Sequence, residues 1–291
     1  MEVKSIAEQF LFTTCRFETQ LANGKVGTAT GFIYTEDRDS LSYTFLVTNK
    51  HVVRDAKQGS LFFTARKDDQ PVLGSVHQIV LDPFNKGWFF HKDESVDVAV
   101  IPFGNIEKEL EKKGLKVYYK STRANLIPTA QQMGEIDALE EIVFIGYPNA
   151  IWDQVNNIPV MRRGTTATPI QIDFMGKPQF LIDASVFPGS SGSPVFLYNS
   201  GMYTVKGQGT VMGSRALFLG ILAEVFFRED DSGRIELKTI PTTKVPIPVT
   251  KEMIDLGVVF KASVIVEIVQ EIMSKVGPPS SKPEEKVPGT V

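Results

Sequence analysis

The sequence lacks the features of an extracellular, membrane-spanning or nucleic-acid-binding protein. It has one cysteine, Cys15, in 291 residues, so it cannot form an internal disulfide and suits a reducing compartment. No apolar run reaches membrane-spanning length, and the first residues include Glu2 and Glu8 where a secretory signal has an uninterrupted apolar core. The formal net charge of −3 gives no reason to expect nucleic acid or a membrane as a partner. We expect a cytoplasmic protein.

The chain also has few segments that predict helix. Its first 250 residues consist mostly of short segments rich in Val, Ile, Phe, Tyr and Thr, which are typical of strands. Nine such segments are found at 10–19, 28–36, 41–48, 60–66, 97–103, 141–148, 179–186, 193–198 and 216–227. Only one helix-like segment, near residue 105, lies between them. The pattern predicts an all-β antiparallel barrel or sandwich.

The pattern changes near residue 250. A short helix-like piece is followed by residues 262–276, where apolar residues recur close to every 3.6 positions. We expect residues 249–276 to be a helical segment that packs on a β domain formed by residues 1–248. Residues 277–291 are rich in Pro, Ser and charge, which predicts a disordered tail.

The segment "VFPGSSGSPVF" (186–196) holds the candidate nucleophile, Ser191. A serine that attacks a carbonyl needs backbone N–H groups to bind the oxyanion, commonly its own and one from just before it. The N–H groups of Ser191 and Gly189 meet this requirement. Gly189 also has no Cβ and can adopt the unusual dihedral angles that such a loop needs.

Three neighbouring serines fit this role less well. For Ser190 the second donor would be Pro188, which has no N–H. Ser193 precedes Pro194, which favours an extended conformation over a tight turn. Ser185 lies within a strand-like segment. Elimination therefore leaves Ser191 as the candidate nucleophile.

The candidate base is His51. The chain has three histidines and all precede Ser191, which excludes an α/β-hydrolase because its histidine follows the nucleophile. His51 stands directly after the buried-looking strand of "TFLVTNKHVV", whereas His77 lies in a polar stretch and His91 follows three aromatic residues. The chain shows no metal-ligand spacing around these histidines, and we expect no metal.

A carboxylate must orient the base and stabilise its charged form. Asp97 opens the apolar strand "DVAVIPF", so we expect it to be partly buried, whereas Asp93 lies among other charges. The predicted catalytic order is His51, Asp97, Ser191.

In these segments the sequence resembles the trypsin-like (chymotrypsin-fold) serine peptidases, most closely the bacterial branch that includes the HtrA/Deg proteases. The resembling segments are "GTATGFI", "FLVTNKHVV", "DVAVIPF", "IGYPN", "RRGTTA" and "IDASVFPGSSGSPVF". The resemblance covers about residues 10–228. It implies two packed six-stranded antiparallel β-barrels with the triad in the cleft between them.

The implied function is a serine endopeptidase that hydrolyses peptide bonds through an acyl-enzyme on Ser191. Its substrate would be a protein or peptide, and no cofactor is implied. Alignment to the family places the base of the substrate pocket near Ser185, with walls from Ala223 and Val225. This pocket predicts small or medium apolar side chains as substrate.

Two departures from the family leave an alternative open. Ser190 replaces an aspartate that pairs with a newly cut N-terminus in digestive relatives, so we do not expect activation by such cleavage. Ser193 replaces a usual glycine. We also expect no PDZ domain. The altered loop leaves open a latent or inactive peptidase-like scaffold that is activated by a protein partner, and an esterase on the same fold is a third reading.

Overall fold

The computed structural model describes residues 1–21, 24–148, 151–231, 234–241 and 251–276. The first sheet contains nine strands: Thr14–Leu21 (β1), Val26–Arg38 (β2), Leu41–Thr48 (β3), Ala56–Lys67 (β4), Gln70–Leu81 (β5), Phe89–Phe90 (β6), Ala99–Pro102 (β7), Val117–Tyr118 (β8) and Thr122–Arg123 (β9). The other strands are Glu141–Gly146 (β10), Val160–Thr166 (β11), Gln179–Asp183 (β12), Pro194–Asn199 (β13), Met202–Val205 (β14), Gly209–Met212 (β15), Arg215–Asp231 (β16), Arg234–Pro241 (β17) and Lys251–Lys261 (β18).

The described helices are few and mostly short. They are Ile6–Phe10 (α1), Lys50–Val53 (α2), Gly104–Lys112 (α3), Ala130–Glu135 (α4) and Ala262–Val276 (α5), with 3₁₀ segments at Ala124–Leu126 and Phe174–Gly176. The predicted all-β class with a C-terminal helix is confirmed. Among the described residues, no helix is both long and apolar enough to cross a membrane.

The two large sheets differ in how they close. In the second sheet the order is β13-β10-β11-β12-β18-β16-β17, and β13 also pairs with β16, which closes a six-stranded barrel. In the first sheet the order is β5-β4-β1-β2-β3-β7-β6, with β8 on β4 and β9 on β2, and the described pairings do not form a ring. One predicted barrel is thus a closed ring of six strands and the other is a nine-stranded sheet.

Alternation along the strands produces separate apolar cores. On β2, Ile33 packs inside the first sheet, whereas Phe32 and Tyr34 enter a cluster between the two sheets. On β10, Phe144 packs inside the closed barrel, whereas Val143 and Ile145 enter the same cluster between the sheets. We call this shared cluster the inter-barrel core.

The C-terminal region is predicted to be helical over residues 249–276, and among its described residues only the second part is a helix. Residues 251–261 are not helical: β18 pairs with β12 and with β16 and completes the barrel. Short apolar runs such as Val258–Phe260 do not distinguish a buried strand from a helix by periodicity. Helix α5 covers the predicted residues and packs on the β structure through the inter-barrel core. The predicted tail, 277–291, lies outside the described residues.

Candidate active site

His51 and Asp97 form the best-defined pair of side chains in the site. His51 lies on the short helix α2 directly after β3, and Asp97 lies just before β7, which pairs with β3. Asp97 Oδ2 is 2.5 Å from His51 Nδ1, and Asp97 Oδ1 accepts a 2.9 Å hydrogen bond from the backbone N–H of His51. The carboxylate therefore fixes both the backbone and the ring of the histidine.

The environment of Asp97 keeps its carboxyl group ionised. Burial by itself raises the pKa of Asp97, but the charge of His51 and the hydrogen bonds from its ring and backbone oppose burial and prevail. Lys50 adds a smaller effect in the same direction. The pKa of Asp97 consequently lies below its ordinary value, so a carboxylate faces the imidazole at neutral pH.

Neighbouring polar groups hold the Asp97 segment in place. Asn49 Nδ2 donates a 2.8 Å hydrogen bond to the backbone oxygen of Asp97. Lys50 is only 6% exposed. Its Nζ donates to the backbone oxygen of Glu94 at 2.7 Å and to the side-chain Oε2 of Glu94 at 3.1 Å. Both residues that precede His51 thus bind the segment that carries its carboxylate.

The loop that carries Ser191 is built from two consecutive turns. The N–H of Ser190 donates to the oxygen of Phe187 at 3.0 Å, and the N–H of Ser193 donates to the oxygen of Ser190 at 3.0 Å. Gly189 has a φ of 91°, a left-handed conformation that favours glycine. Since the N–H of Ser190 is already bonded in the turn, the predicted oxyanion donors remain the N–H groups of Gly189 and Ser191.

Thr30 on β2 connects this loop to the other barrel. Its N–H donates a 2.9 Å hydrogen bond to the oxygen of Ser191, and its Oγ1 donates to the oxygen of Gly189 at 3.1 Å. Its own oxygen accepts a 2.8 Å hydrogen bond from Thr48 Oγ1, at the end of the strand that leads to His51. The predicted nucleophile and base are therefore positioned through the same residue.

His51 Nε2 and Ser191 Oγ are not hydrogen-bonded to each other in this structure. His51 Nε2 is buried and has no hydrogen-bond partner among the described residues. Ser191 Oγ donates a long 3.5 Å hydrogen bond to the oxygen of Ala223. A base with one nitrogen fixed by a carboxylate and the other unpaired can accept a proton at that second nitrogen, and such contacts often tighten only when substrate binds.

The three residues predicted for the substrate pocket lie in different environments. Ser185 is exposed. Ala223 is buried in the inter-barrel core beside Ser191, and Val225 packs inside the closed barrel. The pocket assignment stays a prediction.

His77, His91 and Asp93, the other candidates, lie outside the His51–Asp97 pair. His91 Nε2 is 3.0 Å from Glu267 on α5, and its Nδ1 accepts a hydrogen bond from the N–H of Asp93. His77 lies on β5, opposite Phe63 of β4. Neither His77 nor His91 pairs with Asp97.

Sequence reasoning missed Arg162, which lies on β11. Its guanidinium group donates to Ser190 Oγ at 2.5 Å and to the backbone oxygen of Ser185. The signal in the sequence is a pair of arginines in the segment "RRGTTA". Its contacts depend on the tertiary fold, so spacing in the sequence could not assign them.

Comparison with known protein families identifies the family of the chain. A family model described as the trypsin-like peptidase domain matches residues 29–202, more than half of the chain, and this range contains His51, Asp97 and Ser191. No curated protein sequence matches the chain.

Several solved protease structures are similar over most of their length. The Rv3671c protease from M. tuberculosis in its active form is 16% identical, with 96% of this chain and 86% of that chain covered and a TM-score of 0.41. HL collagenase is 13% identical, with 91% and 95% covered and a TM-score of 0.46. The thermostable serine protease AL20 from an extremophilic microorganism is 15% identical, with 92% and 99% covered and a TM-score of 0.42. These scores are low, so the assignment rests on the family model: the chain belongs to the trypsin-like peptidase domain family.

Proposed function

We propose that this protein is a serine endopeptidase that cleaves peptide bonds through His51, Asp97 and Ser191. The observation that carries the proposal is the His51–Asp97 pair, in which Nδ1 is held by a carboxylate and Nε2 is buried and unpaired among the described residues. This arrangement fits a general base.

The proposed reaction has two stages. Ser191 Oγ attacks the carbonyl carbon of the peptide bond while its proton passes to His51 Nε2, and the N–H groups of Gly189 and Ser191 bind the oxyanion. His51 then gives the proton to the departing amine, which leaves an acyl-enzyme ester on Ser191. Water repeats the sequence, with His51 again as the base, and releases the acid product.

A latent form is the second candidate. It is favoured by one observation: His51 Nε2 has no hydrogen-bond partner among the described residues, so the base is not bonded to Ser191 Oγ. A protein partner would then be needed to complete the site. Activity measurements on the purified protein separate the two candidates.

The test is hydrolysis of an unfolded protein, a peptide series and an activated ester by the purified protein. Cleavage of all three by wild type, with a loss of about 10³-fold or more in Ser191→Ala, supports the peptidase. Ser193→Ala, which removes a hydroxyl that has no hydrogen-bond partner among the described residues, is the matched serine control. Ester cleavage alone would indicate an esterase, and no cleavage by wild type would support the latent form.

A further inference from the structure

Arg162 brings a cation to the inner side of the loop that precedes Ser191. It lies on β11 opposite Phe144 of β10. Its guanidinium carbon lies 4.5 Å from the ring centroid of Phe144 and 5.4 Å from that of Phe187. One of these rings belongs to the core of the closed barrel, and the other belongs to the loop itself. The side chain therefore bridges the barrel core and the active-site loop.

The guanidinium group binds this loop at two points five residues apart. One nitrogen donates to the hydroxyl of Ser190, and another donates to the backbone oxygen of Ser185. Ser190 is 0% exposed, so its hydroxyl would lose a buried partner if the arginine were removed. The two contacts span the segment that contains Gly189 and ends next to Ser191.

Arg162 does not form a typical ion pair. Among the side chains that the structure describes, no carboxylate lies within salt-bridge distance of it, and its Nε is buried without a hydrogen-bond partner. Burial lowers its pKa to about 10, so it remains charged at neutral pH. Since partial burial of a cation without an opposite charge costs stability, this side chain contributes through its hydrogen bonds to the loop and its contacts with the two rings.

We propose that Arg162 is a positioning residue that holds residues 185–190 so that the N–H groups of Gly189 and Ser191 stay oriented for an oxyanion. The proposal rests on the proposed function, because it concerns the oxyanion loop of that site. Under this proposal, the loop is held by a residue of the same chain, Arg162.

The first test measures loop order without any need for activity. Hydrogen–deuterium exchange is compared in wild type, Arg162→Met and Arg163→Met. Arg163 is the matched control, because it is adjacent on the same strand but is 71% exposed and pairs with Glu141 at the surface. We expect amides of residues 185–193 to exchange about 10-fold faster in Arg162→Met, with the rest of the barrel unchanged. Unchanged exchange in this loop overturns the proposal.

The second test separates positioning from substrate binding. We expect Arg162→Met to lower kcat by about 10-fold to 100-fold with little change in KM, because oriented donors act on the transition state. Arg162→Lys should recover part of the loss. A raised KM confined to substrates with Asp or Glu at the cleavage site would instead make Arg162 a substrate ligand and would overturn the proposal.

Two further measurements keep the outcomes distinct. A cooperative thermal unfolding transition in Arg162→Met confirms that the variant is folded, and Ser190→Ala tests the same contact if it is not. We expect Ser190→Ala to speed exchange in the same loop, and no change there would contradict the proposal. If wild type itself cleaves nothing, the proposed function fails, while the exchange measurement still decides the role of Arg162.

Discussion

Asp97 performs two structural tasks with its two carboxylate oxygens. One oxygen accepts the backbone N–H of His51 and the other faces Nδ1 of the ring. The first bond fixes where the histidine lies, and the second fixes which nitrogen carries the proton. A residue of similar shape without the charge should therefore preserve the fold better than it preserves the chemistry.

Asp97→Asn should lower stability at neutral pH by an amount that disappears in acid. The pKa of Asp97 is lowered in the folded protein, so its carboxylate stabilises the fold above the unfolded-state pKa. This contribution is lost as the pH falls through the folded-state pKa, below the ordinary carboxyl range. Urea unfolding of wild type and variant, from neutral pH down to the lowest pH at which both still fold, measures the difference. A difference that stays constant or grows in acid would contradict this reasoning.

At the scale of elements, helix α5 supports the segment that carries Asp97. Ile265, Ile268 and Val269 on the helix share the inter-barrel core with Val96 and Val98, the two neighbours of Asp97. At the surface, His91 and Lys92 from the same segment face Glu267 and Glu271 of the helix. The C-terminal helix is therefore in a position to affect the site although it contributes no reactive group.

Ile268→Ala should destabilise the protein by about 2–5 kcal/mol, because it leaves a cavity in a packed core. It should also lower activity by disturbing the Asp97 segment. Gln270→Ala, at an exposed position of the same helix, should change stability by less than about 0.5 kcal/mol. Denaturant unfolding and peptide hydrolysis measure the two effects. Equal effects from both variants would argue against a supporting role for the buried face.

Two strands that the sequence failed to predict, β5 and β18, lack a clear strand pattern, each for its own reason. β5 carries Pro71 and Gly74 and exposes alternate side chains along an edge, so its strand pattern is weak. β18 is paired on both sides, and its continuous apolar run does not show alternation. Strands with a clear pattern, such as residues 41–48, and helix α5 were predictable because local pattern and burial agree there.

At the scale of the whole molecule, the site lies where the first sheet and the closed barrel meet, and Thr30 makes a hydrogen-bonded contact between them. Thr30 of the first sheet bonds to the oxygen of Ser191 and to the hydroxyl of Thr48. Motif order in the sequence could predict His51, Asp97 and Ser191, since each residue has a recognisable local setting. The contacts of Thr30 and Arg162 join residues that are 18 or more positions apart in the chain, so only the fold reveals them.

Gly192→Ala should disrupt the contact between Thr30 and the loop that carries Ser191. Gly192 has a φ of 86°, and an added Cβ would collide with the oxygen of Thr30. We expect a loss of about 1–3 kcal/mol or more in stability, together with a loss of activity. Gly134→Ala is the matched control, since it lies in α4 with open space around it and should be neutral or stabilising by about 0.5–1 kcal/mol. If Gly192→Ala retained wild-type stability and activity, the barrels would not depend on this close approach.

The central claim is that Ser191 is a nucleophile activated by His51 and Asp97. The most direct measurement is reaction of the folded protein with a fluorophosphonate probe, followed by mass-spectrometric mapping of the modified residue. We predict a single covalent adduct on Ser191, absent in Ser191→Ala and strongly reduced in His51→Ala. Complete absence of an adduct under conditions that label a known serine peptidase, or an adduct on Ser190 or Ser193, would contradict the account.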